Sequence, residues 1–342
     1  MPISLLTAAV TSFGLLFTAR LGLGLAETPA FPINSKATGY WFPTNERGVA
    51  TAIFDSAAKL STAIGVPFVS YILVVAGWRA TFLVTGVISF LFFIAFFVFY
   101  RNPSEHPGLT HAEREYITAG GAQPEGATTS GSVGGTFLYL LGRTKVWGLT
   151  IGFAAYGYTF YLFLTWLPGY LVQTMHMSIL TSAGFTTIPW MCATIADLVV
   201  GGWLVDYLVA KGVNESRVRK TVLICGMLVG LAVFGATQTT NPAWAILWIS
   251  VALSGLSAAA PVGWSIPSLI APKGGTGTIG GIMNFANNMM GVVAPAVTGF
   301  IVGETQSFDN AFLIAGVVLA IGVVSYVFIL GKIEPIADPS QP

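Results

Sequence analysis

The sequence predicts an all-α integral membrane protein, and three observations carry the prediction. The chain is 54% hydrophobic over 342 residues and only 8% charged, where a soluble surface takes about 25% charged residues. Its apolar residues fall in runs near the ~20 residues that a helix needs to cross the hydrocarbon core. Its basic residues sit beside alternate connections between those runs. The composition excludes a soluble enzyme, a disulfide-stapled scaffold and a disordered regulator. A net charge of +1 argues against a nucleic-acid partner, which requires a basic patch to displace counterions. Cys192 and Cys225 lie in apolar runs and read as small core residues, not as disulfide or metal ligands.

Residues 1–12 form an apolar stub too short to span on its own. Full spans follow at 13–35, 48–76, 78–100, 146–172, 180–210, 219–240, 242–268, 277–303 and 308–331. Pro67, Pro168, Pro189, Pro261, Pro267 and Pro295 fall inside them, as membrane helices allow when neighbouring groups satisfy the freed backbone. No basic stretch precedes the first run, so a cleaved signal peptide is a poor reading of the start. Twelve of the fifteen basic residues mark one side: Lys36, Arg47, Arg101, Arg114, Arg143, Lys145, Lys211, Arg217, Arg219, Lys220, Lys273 and Lys332. Arg79 marks the other, and Arg20 and Lys59 lie within spans. Positive charge concentrates on the cytoplasmic face, so the expectation is a multi-pass inner-membrane protein with a cytoplasmic C-terminus.

The one long hydrophilic stretch, 101–143, reads as a short amphipathic helix followed by a flexible Gly/Ser/Thr run, 126-GATTSGSVGG-135. The expected organisation is a partial N-terminal half (1–100), a cytoplasmic linker (101–143), a six-span C-terminal half (144–331) and a tail (332–342).

A weak internal repeat supports two related halves. The segment 52-AIFDSAAKLSTAIGVP-67 lies on 280-GGIMNFANNMMGVVAP-295 without gaps, and 78-WRATFLVTG-86 matches 308-FDNAFLIAG-316 in style. The first pair is offset by 228 positions. A matching first half would therefore start about 80 residues before Met1, room for roughly two and a half spans.

The stretches 20-RLGLGLAETPAFP-32, 41-WFPTNERG-48, 77-GWRATF-82, 161-YLFLTWLPGYL-171, 202-GWLVDYL-208 and 281-GIMNFANNMMGVVAPAVTGF-300 together sample nearly the whole chain. They resemble the major facilitator superfamily and, within it, the anion:cation symporters of sugar acids and their sialin-like relatives. The resemblance implies a two-half helical bundle lacking about its first two and a half transmembrane helices. The Gly-Gly-x-x-x-Asp loop with Gly202 and Asp206, followed by Arg217, Arg219 and Lys220, resembles the second copy of the superfamily's cytoplasmic motif. Its first copy has no counterpart in this chain. A structural or gating role for Gly202, Asp206 and Arg217 is what that resemblance implies.

Ionisable groups within the hydrocarbon are costly and mark functional candidates. Arg20 and Glu27 are seven residues apart, close to two helical turns of about 7.2 residues, and so share a face. An Arg fork grips a carboxylate bidentately, and a desolvated Glu can load and release a proton. The resemblance implies the same roles, Arg20 beside a substrate carboxylate and Glu27 as the proton-coupling site. The alternative is a static salt bridge. Asp55 and Lys59 form an i,i+4 pair, read either as a packing ion pair or as part of a cavity. The repeat sets Lys59 opposite Asn287 and Ser56 opposite Asn284. Asp197, mid-span, is either a second titrating site or a hydrogen-bonded helix contact.

Tyr158, Tyr161, Trp166, Trp264, Ser265, Asn284 and Asn288 supply the donors, acceptors and flat apolar faces that sugar hydroxyls and rings require. Core packing or the interfacial aromatic belt is the competing reading for each aromatic. The run 275-GTGTIG-280 follows no strand and lacks the later acidic residue of a dinucleotide fold. No Gly loop carries a Walker Lys, so ATP is not expected. The three His make no ligand cluster, and no metal or cofactor is expected. The expected function is proton-coupled symport of an organic anion, such as an aldonate, aldarate or hexuronate or a small carboxylate, by alternating access. A non-transporting remnant or sensor is the alternative, because the first helices are absent. A membrane enzyme is the weaker rival, with no catalytic dyad readable.

Overall fold

Apolar runs become helices in a bilayer because lipid offers no partners to backbone N–H and C=O groups. The computed structural model describes every residue except 1, 28–29, 44–45, 123–124, 126–132, 273–274 and 338–342, and the described residues contain helices and no strand. In order these are α1 (Pro2–Ala8), α2 (Phe13–Glu27), α3 (Ala30–Trp41), α4 (Arg47–Phe99), α5 (His111–Ala119), α6 (Val133–Leu141) and α7 (Thr144–Gln173). Then come α8 (Ile179–Ala196), α9 (Val205–Ala210), α10 (Glu215–Gly230), α11 (Val233–Thr237), α12 (Pro242–Ile270), α13 (Thr276–Thr305) and α14 (Asp309–Val324). A π-helical segment, Asp197–Leu204, joins α8 to α9, and a second, Ser325–Ile329, extends α14.

Six segments among the described residues are long and apolar enough to cross a membrane. One of them, α4, contains two of the predicted spans. Gly77 breaks it with φ 80° and ψ 173°, a backbone that glycine adopts without the steric cost of a Cβ. Residues 48–76 and 78–99 are therefore two helical arms. At 30 residues α7 also has the length to span, but Tyr, Trp, Thr and Gly dilute its hydropathy.

Contacts divide the chain into two units, Met1–Arg47 with Gly65–Ala127 and Gly48–Ile64 with Thr128–Pro342. In the first, α1 packs on α2, and the backbone of α4 at Gly86 lies so close to Leu5 that a Cβ would sit 2.7 Å from Leu5 Cδ2. The second arm of α4 exposes Phe92, Phe93, Phe97 and Phe99, an apolar surface fit for lipid and unfit for water. The amphipathic α5 carries a complete capping box. Thr110 Oγ1 accepts from the Glu113 N–H, and the Glu113 carboxylate accepts from the Thr110 N–H. Those Thr110 donors hold the Glu113 carboxyl below its usual value. The Tyr116 hydroxyl donates to Glu46, and that bond holds its phenol above the usual range. Trp41 and His106 meet edge-on at 5.4 Å.

In the second unit α7 packs on α13 and α14, and α12 packs on α8 and α10. Apolar burial between helices gains little in lipid, so close backbone approach must hold them together. The α10–α12 crossing shows it. A Cβ on Gly226 would lie 2.9 Å from Ala259 Cβ, and one on Gly255 would lie 2.7 Å from the Gly226 carbonyl. After the last helix the chain returns across the bundle end. There the Ile336 N–H donates to the Ile270 carbonyl at 2.8 Å, the Ile333 N–H to Ser216 at 2.8 Å, and Lys145 pairs with Glu334 at 3.1 Å.

Two expectations are corrected. Helix α6 starts at Val133, inside the run read as flexible, because the apolar Phe137–Leu141 that follows draws the chain into a turn packed on α7 and α13. Cys225 is exposed instead of buried in the core. It lies on the outer face of α10, where a small apolar thiol is tolerated by lipid.

Candidate functional site

The strongest concentration of charge among the described residues lies wholly in the second unit. Lys59, on the first arm of α4, donates to Asp55 one turn earlier and to Asp197 at the end of α8, each at 2.5 Å. All three are buried, with Lys59 1%, Asp55 5% and Asp197 0% exposed. Tyr156 of α7 lies beside the ammonium, and the Phe160 ring faces it at 5.9 Å. Removing each ion from water costs on the order of several kcal/mol, recovered only by close pairing. The sequence reading found the i,i+4 pair but not its third member, which comes from 138 residues away. Asp197 also opens the π-helical segment, a local widening that is frequent at functional sites. The Thr187 hydroxyl donates to the Ala63 carbonyl at 3.0 Å and pins α8 to the same arm.

A polar row runs along α7 and α13. Tyr161 donates to Asn288 Oδ1 at 3.1 Å, and the Asn288 amide donates to Asn284 Oδ1 at 2.8 Å and to the Asn284 carbonyl at 2.9 Å. Asn288 is exposed, Asn284 half-buried and Asn287 buried. Asn287 Oδ1 lies where a Cβ on Gly157 would be, and it has no hydrogen-bond partner among the described residues. The Tyr158 hydroxyl is buried and also unpartnered. Repeat-matched Lys59 and Asn287 are therefore both buried polar groups in an apolar bundle. The other aromatic candidates lie elsewhere. Trp166 donates to the Pro295 carbonyl at 3.2 Å and meets Phe308 edge-on, and Trp264 meets Phe153 edge-on at 5.1 Å. Ser265 is held by Arg219, which donates to it at 2.6 Å.

The motif residues after α8 also have defined partners. Asp206 accepts from the Val49 N–H at 2.9 Å, at the start of α4, where the helix dipole favours an anion. Gly202 admits Ala52 so closely that a Cβ would stand 2.7 Å from the alanine methyl. Arg217 is exposed, with its N–H capped by Asn214. Arg219 is the buried cation of that loop, paired with Glu215 at 2.9 Å. The sequence reading placed Arg219 in the motif but gave the role to Arg217, although the i,i+4 spacing to Glu215 was a signal for Arg219.

Arg20 and Glu27 belong to the first unit. The Arg20 guanidinium lies 4.7 Å from the Phe82 ring centroid, both residues are exposed, and no ion pair joins them among the described residues. No group of three or more His, Cys, Asp or Glu among the described residues is arranged to hold a metal ion.

Comparison with known proteins gives the family. A Bacillus subtilis (strain 168) protein described as "Uncharacterized transporter YybO" is 43% identical over 327 residues, covering 94% of this chain and 74% of its own length. The Escherichia coli (strain K12) "Probable galactarate/D-glucarate transporter GarP" is 33% identical over 326 residues, covering 93% and 73%. Among solved structures, the proton:xylose symporter XylE bound to 6-bromo-6-deoxy-D-glucose shares the fold with TM-score 0.63 at 16% identity, covering 97% of this chain and 77% of that one. The family profile described as Major Facilitator Superfamily matches residues 1–295. Apolar helices packed through glycine, an internal repeat and these matches agree, and the chain belongs to the Major Facilitator Superfamily.

Proposed function

We propose that this chain carries an organic anion of the sugar-acid class, an aldarate, aldonate or hexuronate, or a small carboxylate, together with a proton. The observation that carries the proposal is the Tyr161–Asn288–Asn284 row, an accessible set of donors and acceptors in an otherwise apolar bundle. Such groups suit sugar hydroxyls, and the relative named for galactarate and D-glucarate supports the class. Arg20 grips a substrate carboxylate through its planar fork. Glu27 takes the proton and permits reorientation only when neutral, so substrate and proton move together by alternating access. Asp206 on the α4 N-terminus and Gly202 against Ala52 act as a latch that engages in one state. The positive-inside pattern supports an inner-membrane protein with its C-terminus in the cytoplasm.

The test is transport by proteoliposomes holding this chain. An imposed pH gradient should drive accumulation of labelled glucarate. Glu27→Gln should abolish accumulation while sparing exchange of labelled for unlabelled substrate. Unchanged accumulation in that variant would refute the role of Glu27, and absence of both activities in the unaltered chain would refute the carrier.

A further inference from the structure

The Asp55–Lys59–Asp197 cluster does not balance. Two carboxylates face one ammonium, every member is buried, and full ionisation would leave one negative charge in an apolar interior. Both carboxylate Oδ2 atoms bond the same Lys59 nitrogen at 2.5 Å, so they stand no more than about 5 Å apart, and two anions sharing one site repel strongly. A second observation is independent of the charge count. Asp197 is fully buried, its Oδ2 is taken by Lys59, and its Oδ1 has no partner among the described residues. An orphaned oxygen of this kind is costly unless something occupies it.

Among the described residues, the elements packed around Asp197 bring no second cation to it. The first arm of α4 brings Asp55 and Lys59, and α7 brings Tyr156, whose ring lies beside Phe160. Helix α12, which packs on both α8 and the π-helical segment, carries no ionisable residue between Pro242 and Ile270. Asp206 is taken by the Val49 N–H, and Arg219 is paired with Glu215.

We propose that this cluster is a proton-binding site distinct from Glu27, holding one exchangeable proton between Asp197 and Asp55 with Lys59 permanently charged. In the loaded state one of the two carboxyls is a neutral acid, and the remaining carboxylate balances the ammonium. In the unloaded state the proton has left to water and the cluster carries one negative charge. No other bond changes. The proposal adds a second proton to the transport reading, but its readout requires no transport.

The experiment is infrared spectroscopy of the purified chain in lipid nanodiscs, with aspartate carbon-13 labelled in the side-chain carboxyl. At neutral pH the labelled chain should show one carboxylic-acid carbonyl band that shifts with the label, and raising the pH should remove it. Asp197→Asn should abolish the band. Asp55→Asn should also abolish it, because one carboxylate then balances Lys59 and no proton is needed. Glu27→Gln should leave it unchanged, which separates this site from the transport proposal. No label-sensitive acid band at any pH between 5 and 8 in the unaltered chain would overturn the proposal without recourse to variants, as would a band that survives both Asn substitutions. A cluster neutralised instead by sodium would show no acid band and would retain labelled sodium, and that result also overturns it.

Discussion

The two units handle membrane charge in opposite ways. In the first, Arg20 and Glu27 share a helix face, lie exposed and have no ion-pair partner among the described residues; Arg20 lies against the Phe82 ring. In the second, Lys59 is shut away and fully engaged by two carboxylates. Charges left accessible are available to a ligand, whereas charges sealed together hold helices in place and retain whatever neutralises them. That difference is the ground on which the proposals give ligand handling to α2 and proton storage to the α4–α8 cluster, whose ion pairs also join α4 to α8.

The largest effect expected from breaking that contrast is at Lys59. Lys59→Met leaves two buried carboxylates without a counter-charge and should destabilise the second unit by about 3–5 kcal/mol, read as a fall in thermal unfolding temperature in detergent. Adding Asp55→Asn and Asp197→Asn should restore much of the loss; if the single substitution leaves unfolding unchanged, the cluster does not hold α4 to α8. Next in size is Gly157→Val, which drives a side chain into Asn287 and should cost about 1–3 kcal/mol by overpacking in the same assay. Arg20→Ala removes a contact worth about 0.5–1 kcal/mol, so unfolding should barely move while substrate uptake is lost. A large stability loss there would erase the contrast.

The smallest effect concerns α5. The Glu113 carboxyl is held below its ordinary value by Thr110, so its contribution is complete above the ordinary glutamate value and disappears as pH falls through the lowered one. Amide exchange in α5 should therefore accelerate at acid pH, and Glu113→Gln should remove the pH dependence while leaving the membrane helices unchanged.

Much of the fold was legible because lipid imposes a simple code, in which ~20 apolar residues make a span. The break at Gly77 was legible as the gap between 48–76 and 78–100. Partners across helices were not. The spacing of Asp55 and Lys59 is local and readable, but nothing in the residues around Asp197 says which distant helix it meets. Trp264 and Ser265 show the same limit: their chemistry suits a ligand, yet Phe153 and Arg219 are the neighbours they meet. Tyr161 meets Asn288, and Asn288 meets Asn284, because α7 and α13 pack against each other.

The most direct test of the central claim is the pH inside proteoliposomes that hold this chain. Adding external glucarate under no other gradient should acidify the lumen as substrate and proton enter together, and the same concentration of glucose should not. No acidification with glucarate, or an equal response to the uncharged sugar, would contradict the account.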